Sequence, residues 1–113
     1  MKIKFFISAV LAASLTHGIF ASELKNVDLE GFASPESVFV DEDFIYVSNI
    51  GTKADPLGKD GDGFISKLDK NAKVVDKSFA SKLNAPKGMA RLDNRLFVVD
   101  IDTLYAFDVR NKK

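Results

Sequence analysis

The side chains that could do chemistry in this chain are almost all carboxylates, amines, hydroxyls and amides. The sequence contains no Cys, and its single His is His17, close to the N-terminus. Ser-His-Asp triads need a His, thiol catalysis needs a Cys, and ordinary zinc sites draw on both residue types. If a leader carrying His17 is removed, as argued below, only carboxylates, Lys, Tyr, amides or a hard cation held by oxygen ligands remain for catalysis.

Many of these polar side chains are expected to meet at one end of a β-structure. One predicted strand begins at Glu36 and the next returns to end at Asn49. Antiparallel neighbours bring such positions together, and the same reasoning places Lys87 beside Asp100. The insertion 51–62 joins the same end. We therefore predict a binding rim made of Glu36, Asn49, Asp55, Asp60, Asp62, Lys87, Asp100 and Asp102. Such a rim is able to hold Ca²⁺, and it is equally typical of a solvated loop face.

The insertion contains two candidate metal ligands, Asp60 and Asp62. They stand at the third and fifth positions of an EF-hand-type calcium loop over Gly58–Asp69. The first and last positions of that loop depart from the pattern, so the alternative is a Gly- and Asp-rich turn that leads into a strand. A phosphate-binding loop over Gly51–Asp60 has the wrong glycine spacing and no Ser or Thr for magnesium. No nucleotide is therefore expected.

The N-terminus has the three parts of a secretory signal in order. Lys2 and Lys4 supply positive charge, residues 5–15 form an apolar run, and Ala21 offers a small-residue cleavage site. The apolar run is shorter than the roughly 20 residues that cross a bilayer, which argues against the alternative of a retained membrane anchor. We expect cleavage after Ala21, a periplasmic or secreted location, and no membrane association of the mature chain.

The overall composition excludes several classes of protein. The chain of 113 residues has 16 basic and 16 acidic residues, no net formal charge and 46% hydrophobic residues. These values argue against a disordered polyelectrolyte and against a strongly basic nucleic-acid binder. The lack of Cys excludes a disulfide-stapled miniprotein. The length allows one globular domain, and no nucleic-acid partner is expected.

The chain after the leader is predicted to be all-β. Short apolar runs are separated by clusters of Gly, Pro, Asn and Asp, and no amphipathic stretch is long enough to indicate a helix. The predicted strands are Glu36–Val40, Phe44–Asn49, Gly63–Leu68, Lys73–Phe79, Lys87–Leu92, Arg95–Asp100 and Thr103–Asp108, with a possible further strand at Leu24–Leu29.

An internal repeat organises these strands. Ser34–Ile50 aligns without a gap on Ala85–Ile101 at an offset of 51 positions, and Pro35 falls on Pro86. A repeat of this length with about four strands is typical of a β-propeller blade, and chance similarity of two hairpins is the alternative.

The repeat predicts one four-stranded propeller blade and most of a second. Residues 22–33 would form an N-terminal segment or strand, 34–84 the first blade and 85–113 the partial second blade. Closed propellers typically contain about 4 to 8 blades, so we expect a truncated reading frame or a piece of a longer parent. Exposed blade edges would then pair with other copies of the chain, which completes a ring or causes aggregation, or with an unknown periplasmic protein.

These blades resemble the first blades of six-bladed propellers of the senescence marker protein/gluconolactonase family and of the related NHL-repeat proteins. The resemblance extends over Leu29–Asp108 and rests on the segments SPESV, FIYVSNI, GFISKLD, LNAPKGMA and LFVVDID. It implies that Glu36 helps to hold a divalent cation, such as Ca²⁺, in a central channel. The family's other cation ligands lie on later blades, which this sequence does not contain.

The residue patterns and the family resemblance together suggest two functions. The favoured one is a non-catalytic periplasmic module that binds a ligand or a protein. The alternative is a metal-dependent lactone hydrolase of the gluconolactonase type, in which a channel cation polarises the lactone carbonyl and activates water. We expect that activity only if the missing blades are supplied.

Overall fold

The computed structural model describes residues 29–110, and this part of the chain is all-β, as the sequence predicts; the assignment of its two sheets to propeller blades stays a prediction. The first sheet contains strands β1 (Pro35–Val40), β2 (Phe44–Asn49), β3 (Gly63–Asp69) and β4 (Val74–Leu83), and the second contains β5 (Pro86–Leu92), β6 (Arg95–Asp100) and β7 (Thr103–Asp108). Neighbouring strands are antiparallel and follow the order of the chain. Across the described residues, no helix is long and apolar enough to cross a membrane.

Two sequence predictions fall outside this description. The leader of residues 1–21 lies outside the described residues, and so does all but the last residue of the possible strand Leu24–Leu29.

The predicted strands are confirmed in number and order, and one differs clearly in length. The prediction ends the fourth strand at Phe79, whereas β4 continues to Leu83. Its register against β3 shifts at three places, and Lys82 has a φ of 62°. Each shift breaks the simple in-and-out alternation on which strand prediction depends. The C-terminal part of β4 therefore carries no regular pattern in the sequence.

Aspartates form the tight turns of the first sheet. The Asp41 carboxylate accepts hydrogen bonds from the backbone N–H of Asp43 at 2.8 Å and of Phe44 at 2.7 Å, and so closes the β1–β2 turn. Asp69 does the same between β3 and β4, where its Oδ1 accepts from the N–H of Asn71 and of Lys73. The short Asp side chain accepts hydrogen bonds from turn N–H groups that have no acceptor in a neighbouring strand. This explains why Asp is frequent in the turns of the sequence.

The hydrophobic core lies between the two sheets. Tyr46 and Ile65 from the first sheet and Leu96 and Val98 from the second are fully buried in one cluster. Aromatic rings extend this contact, because Tyr46 meets Phe79 edge to face at 5.5 Å and Phe79 in turn lies 6.5 Å from Phe107 of the second sheet. Burying each large apolar side chain contributes about 1.5–3 kcal/mol. We call the two sheet faces that pack on this core the inner faces.

The two sheets repeat the same pairing register. Pro35 lies opposite Asn49 in the first sheet, and Pro86 lies opposite Asp100 in the second, 51 positions further along the chain. The next pairs keep this offset, since Val38 faces Val47 and Met89 faces Val98. Both pairings shift register just after the proline. The repeat seen in the sequence is therefore also a repeat of strand pairing, including its irregularity.

A short junction joins the sheets directly. β4 ends at Leu83, and β5 begins at Pro86. Gly63, the first residue of β3, lies against this junction: a Cβ there would be 2.5 Å from Pro86 Cδ and 2.7 Å from the Asn84 carbonyl oxygen. Only a residue without a side chain allows the backbone to approach so closely.

Candidate functional site

Asn49, predicted as a rim residue, is fully buried at the end of β2. Its Oδ1 accepts a hydrogen bond from the N–H of Ala33 at 3.0 Å, and its Nδ2 donates to the Val47 carbonyl at 3.1 Å. The same Nδ2 lies 3.2 Å from Ser66 Oγ and 3.4 Å from the Phe64 carbonyl. The amide thus ties the segment that enters β1 to both β2 and β3.

Asp100, also predicted on the rim, occupies the equivalent position of the second sheet and is 1% exposed. Its Oδ2 accepts from the N–H of Asn84 at 2.8 Å, and its Oδ1 accepts from the N–H of Ala85 at 2.6 Å. Hydrogen bonds to an ionised carboxylate are stronger than neutral ones. Asp100 therefore holds the junction that leads into β5.

The candidate metal ligands Asp60 and Asp62 lie together in the loop 51–62. Asp62 Oδ2 accepts from the N–H of Thr52 at 3.0 Å and from its hydroxyl at 3.2 Å. The N–H of Asp62 donates to Asp60 Oδ1 at 3.3 Å, and Lys53 Nζ lies 3.7 Å from Asp60. The pKa of Asp62 is held below its ordinary value, first by a side-chain hydrogen bond with Asp60 and also by the bonds from Thr52.

The loop 51–62 is held at the end of the first sheet by contacts to the second. Lys87 Nζ donates to the Pro56 carbonyl at 2.8 Å, and Lys59 Nζ donates to Asp102 at 2.6 Å. The hydrogen bond raises the pKa of Lys59 and lowers that of Asp102. Three predicted rim residues therefore serve this loop: Lys87 and Asp102 anchor it, and the Asp55 carboxylate accepts from the N–H of Leu57 inside it.

Glu36, the residue that the family resemblance implies as a cation ligand, is exposed on β1 and borders a shallow groove with Ser37, Val38 and Val47. Within residues 29–110, no group of three or more carboxylate, His or Cys side chains is close enough to hold one metal ion. Glu36, Asp60 and Asp62 are therefore not gathered into one cluster. A cation bound by this chain stays a prediction.

The loop segments singled out in the sequence lead into β-structure. The EF-hand-like segment Gly58–Asp69 ends in strand β3. This agrees with the alternative prediction for the segment, a Gly- and Asp-rich turn that leads into a strand. Within the described residues, no helix follows the loop 51–60, so it lacks the helix N-terminus that a phosphate-binding loop provides.

One contact between the sheets was not anticipated from the sequence. The Arg91 guanidinium of β5 binds the Asp41 carboxylate in the β1–β2 turn. Burial alone would raise the pKa of Asp41, but hydrogen bonds from the N–H groups of Phe44 and Asp43 and from Arg91 outweigh it, so the pKa lies below its ordinary value of 3.8. The partners are far apart in the sequence, and no local pattern points to this ion pair.

Two apolar surfaces lie on the sheet faces that point away from the core. On the first sheet, Val38 and Val40 are exposed and lie directly opposite Val47 and Ile45, and these four residues define outer face 1. Outer face 2, on the second sheet, is defined by a matching set: Leu92, Phe97, Val99 and Leu104. The sequence holds a signal for these faces: β2 and β6 have apolar residues at successive positions, 44–47 and 96–99, and therefore on both sides of the strand.

Comparison of the chain with models of known protein families, with curated proteins and with solved structures found no significant match. The resemblance to gluconolactonase-like and NHL-repeat propellers therefore stays a prediction from the sequence.

Proposed function

We propose that this chain is a non-catalytic protein-binding module of β-propeller type, exported to the periplasm or beyond by the N-terminal leader. The observation that carries the proposal is the pair of apolar outer faces on opposite sides of one folded body. Val38 and Val40 of outer face 1 and Leu92 and Leu104 of outer face 2 each expose more than 60% of their surface. Exposed apolar surfaces mark protein-interaction sites in soluble proteins.

The polar side chains support a binding role over a catalytic one. Asn49 and Asp100 hold buried backbone N–H groups, and Lys59 and Lys87 anchor the loop 51–62. A general acid or base must be within reach of the substrate. Asp100, a buried carboxylate, is not, because both of its oxygens accept hydrogen bonds from the backbone N–H groups of Asn84 and Ala85. These groups hold the loop 51–62 and the segments that enter β1 and β5.

In-cell photo-cross-linking tests the binding role. A photoreactive phenylalanine analogue replaces Val38 or Val99, one on each outer face, in the full chain produced in its host. A third variant carries the analogue at Leu57, which is 74% exposed in the loop 51–62 and lies on neither face. We expect protein adducts from Val38 and Val99 and few from Leu57. A lack of face adducts, or adducts from Leu57 alone, would overturn the proposal.

An enzyme assay tests the non-catalytic part separately. The full chain is incubated with glucono-δ-lactone with and without CaCl₂, beside its Glu36→Gln variant. We expect no hydrolysis above the uncatalysed rate in any sample. Calcium-dependent turnover that disappears in Glu36→Gln would favour the hydrolase alternative and contradict our proposal.

A further inference from the structure

We propose that the partner of outer face 2 is outer face 1 of a second copy of this chain, so that copies join head to tail. This inference rests on the proposed binding function and names the partner. The contact between the inner faces shows how one repeat packs on the next.

The Asp41–Arg91 ion pair marks the edge of the contact between the sheets. Asp41 comes from the first repeat and Arg91 from the second. At the offset of 51 positions, the repeat equivalent of Asp41 is Leu92, and the repeat equivalent of Arg91 is Val40. Both replacements are exposed hydrophobic residues, with relative exposures of 65% for Leu92 and 64% for Val40. A charged pair within the chain thus corresponds to two exposed apolar side chains, one on each outer face.

Other residues of outer face 2 also correspond to first-sheet residues that pack in the core between the sheets. Phe97 is the repeat equivalent of Tyr46, whose ring packs in the inner core. Leu104 lies opposite Val99 in the second sheet, as Ile65 lies opposite Ser48 in the first. Outer face 2 therefore presents the positions with which the first sheet contacts the second.

Outer face 1 presents the other half of that contact. Val38 is the equivalent of Met89, and Val47 is the equivalent of Val98, two residues that pack in the inner core from the second sheet. A second copy placed by the same sheet-to-sheet step would bring its Val40 against Leu92 of the first copy. The charged pair Asp41 and Arg91 at this edge is thus replaced, between copies, by the apolar pair Leu92 and Val40.

This contact joins unlike faces, so an open assembly keeps one outer face 1 and one outer face 2 free at its two ends until it closes. Heterologous contacts of this type form rings when the rotation closes and open filaments when it does not. Because each copy contributes two sheets, roughly two to four copies supply the four to eight sheets of closed propellers. We expect a closed ring in that range.

A charge swap tests the predicted partner residues. We expect the full chain to sediment as a closed oligomer, and Leu92→Asp and Val40→Arg each to weaken association at least tenfold, because each places one unpaired charge in an apolar contact. The double variant Val40→Arg/Leu92→Asp should restore association, since it rebuilds between copies the pair that Asp41 and Arg91 form within one. A one-to-one mixture of the two single variants should associate for the same reason.

Control substitutions separate this effect from unfolding and from general changes of charge. Leu57→Asp and Leu57→Arg introduce the same charges at an exposed site off both faces, and we expect them to leave the sedimentation coefficient unchanged. Circular dichroism and the thermal midpoint report whether each variant is folded. Val38→Asp is a second probe of outer face 1 and should also dissociate the oligomer.

The results that would overturn docking between copies differ from the results that would overturn the proposed binding function. A monomeric full chain, or single variants that dissociate without rescue by the double variant, would overturn docking between copies. Photo-cross-links from Val38 and Val99 to a different protein would keep the binding function and overturn this inference. Adducts whose mass and peptides match a second copy, joined from Val99 to outer face 1, would support it.

Discussion

Asn49 and Asp100 lie at the same register position of the two sheets, opposite Pro35 and Pro86, and each binds the backbone N–H located two residues before that proline. The two residues differ in what else they do. Asp100 accepts a second N–H, from Ala85, whereas Asn49 uses its Nδ2 to donate to its neighbours. One structural role is thus performed by an amide in one repeat and a carboxylate in the other.

The first prediction concerns Asp100. Asp100→Ala leaves the N–H groups of Asn84 and Ala85 without their acceptor in a buried position, so we expect a loss of about 2 kcal/mol or more in the free energy of unfolding, measured by urea denaturation. Asp102→Ala, at an exposed carboxylate two residues away, is the matched control and should cost much less, because an exposed ion pair contributes little to stability. Equal effects of the two substitutions would contradict the role given to Asp100.

The second prediction concerns the hydroxyl group of Tyr46. Its ring is fully buried, and its hydroxyl has no hydrogen-bond partner among the described residues. Burial, with a further contribution from Asp41, raises the pKa of Tyr46 to about 12. Because an unsatisfied hydroxyl costs free energy when buried, Tyr46→Phe should leave stability unchanged or increase it by about 1 kcal/mol. The repeat equivalent, Phe97, is already a Phe.

The same site provides a control in thermal unfolding. Tyr46→Ala should cost about 3–5 kcal/mol, since it removes the ring from the core. If Tyr46→Phe lowered stability nearly as much as Tyr46→Ala, the hydroxyl would have to be engaged in an interaction absent from this structure.

The third prediction is a pH dependence caused by Asp41. Its pKa is lower in the folded state than the ordinary value of 3.8, so its contribution to stability is complete above that value and disappears as the pH falls through the folded pKa. We expect Asp41→Asn to be less stable than the wild type at pH 6 and the difference to shrink at pH 3. Urea unfolding at both pH values measures it.

Glu42→Gln is the control for this measurement, because Glu42 is an exposed carboxylate in the same turn. We expect its effect on stability to be small at pH 6. A difference between the wild type and Asp41→Asn that stayed constant from pH 6 to pH 3 would refute the assigned role of the carboxylate.

The fourth prediction concerns Gly51, where the loop 51–62 begins. Its φ is 123°, and an added Cβ would lie 2.0 Å from Asp62 Oδ1. Gly61 also has a positive φ, 74°, but its Cβ would meet no atom within 4 Å. Gly61→Ala should therefore cost only the backbone strain, about 1–2 kcal/mol, and Gly51→Ala clearly more. Hydrogen exchange of the loop amides should rise more in Gly51→Ala, and equal effects would argue against the close approach of Asp62.

Much of the β-architecture could be predicted from the sequence because its causes are local. Apolar alternation and Asp-containing turns place most strands within one residue of their observed ends. The offset between Pro35 and Pro86 anticipated a repeat, and the structure adds that strand pairing repeats with it. The prediction was less accurate for the end of β4, where a register shift between Ala80 and Leu83 breaks the alternation.

In the candidate site, the positions of the polar residues could be predicted from the sequence, but the burial of their side chains could not. The positions of Asn49 and Asp100 at one sheet end follow from antiparallel pairing, but their burial does not. Whether a polar side chain at a strand end points to solvent or to the backbone depends on the path of the segment before the strand, here Ala33 and Asn84. That path is set by packing between distant parts of the chain.

For this protein, the sequence alone determined the all-β class, the seven strands of residues 29–110 and the equivalence of the two repeats, because each depends on the period of neighbouring residues and on turn chemistry. Only the tertiary structure decided that Arg91 binds Asp41, and that Val40 and Leu92 are left on opposite surfaces. These relations depend on how one sheet packs on another. Side-chain burial is set by that packing across long separations in the chain, and no local pattern specifies it.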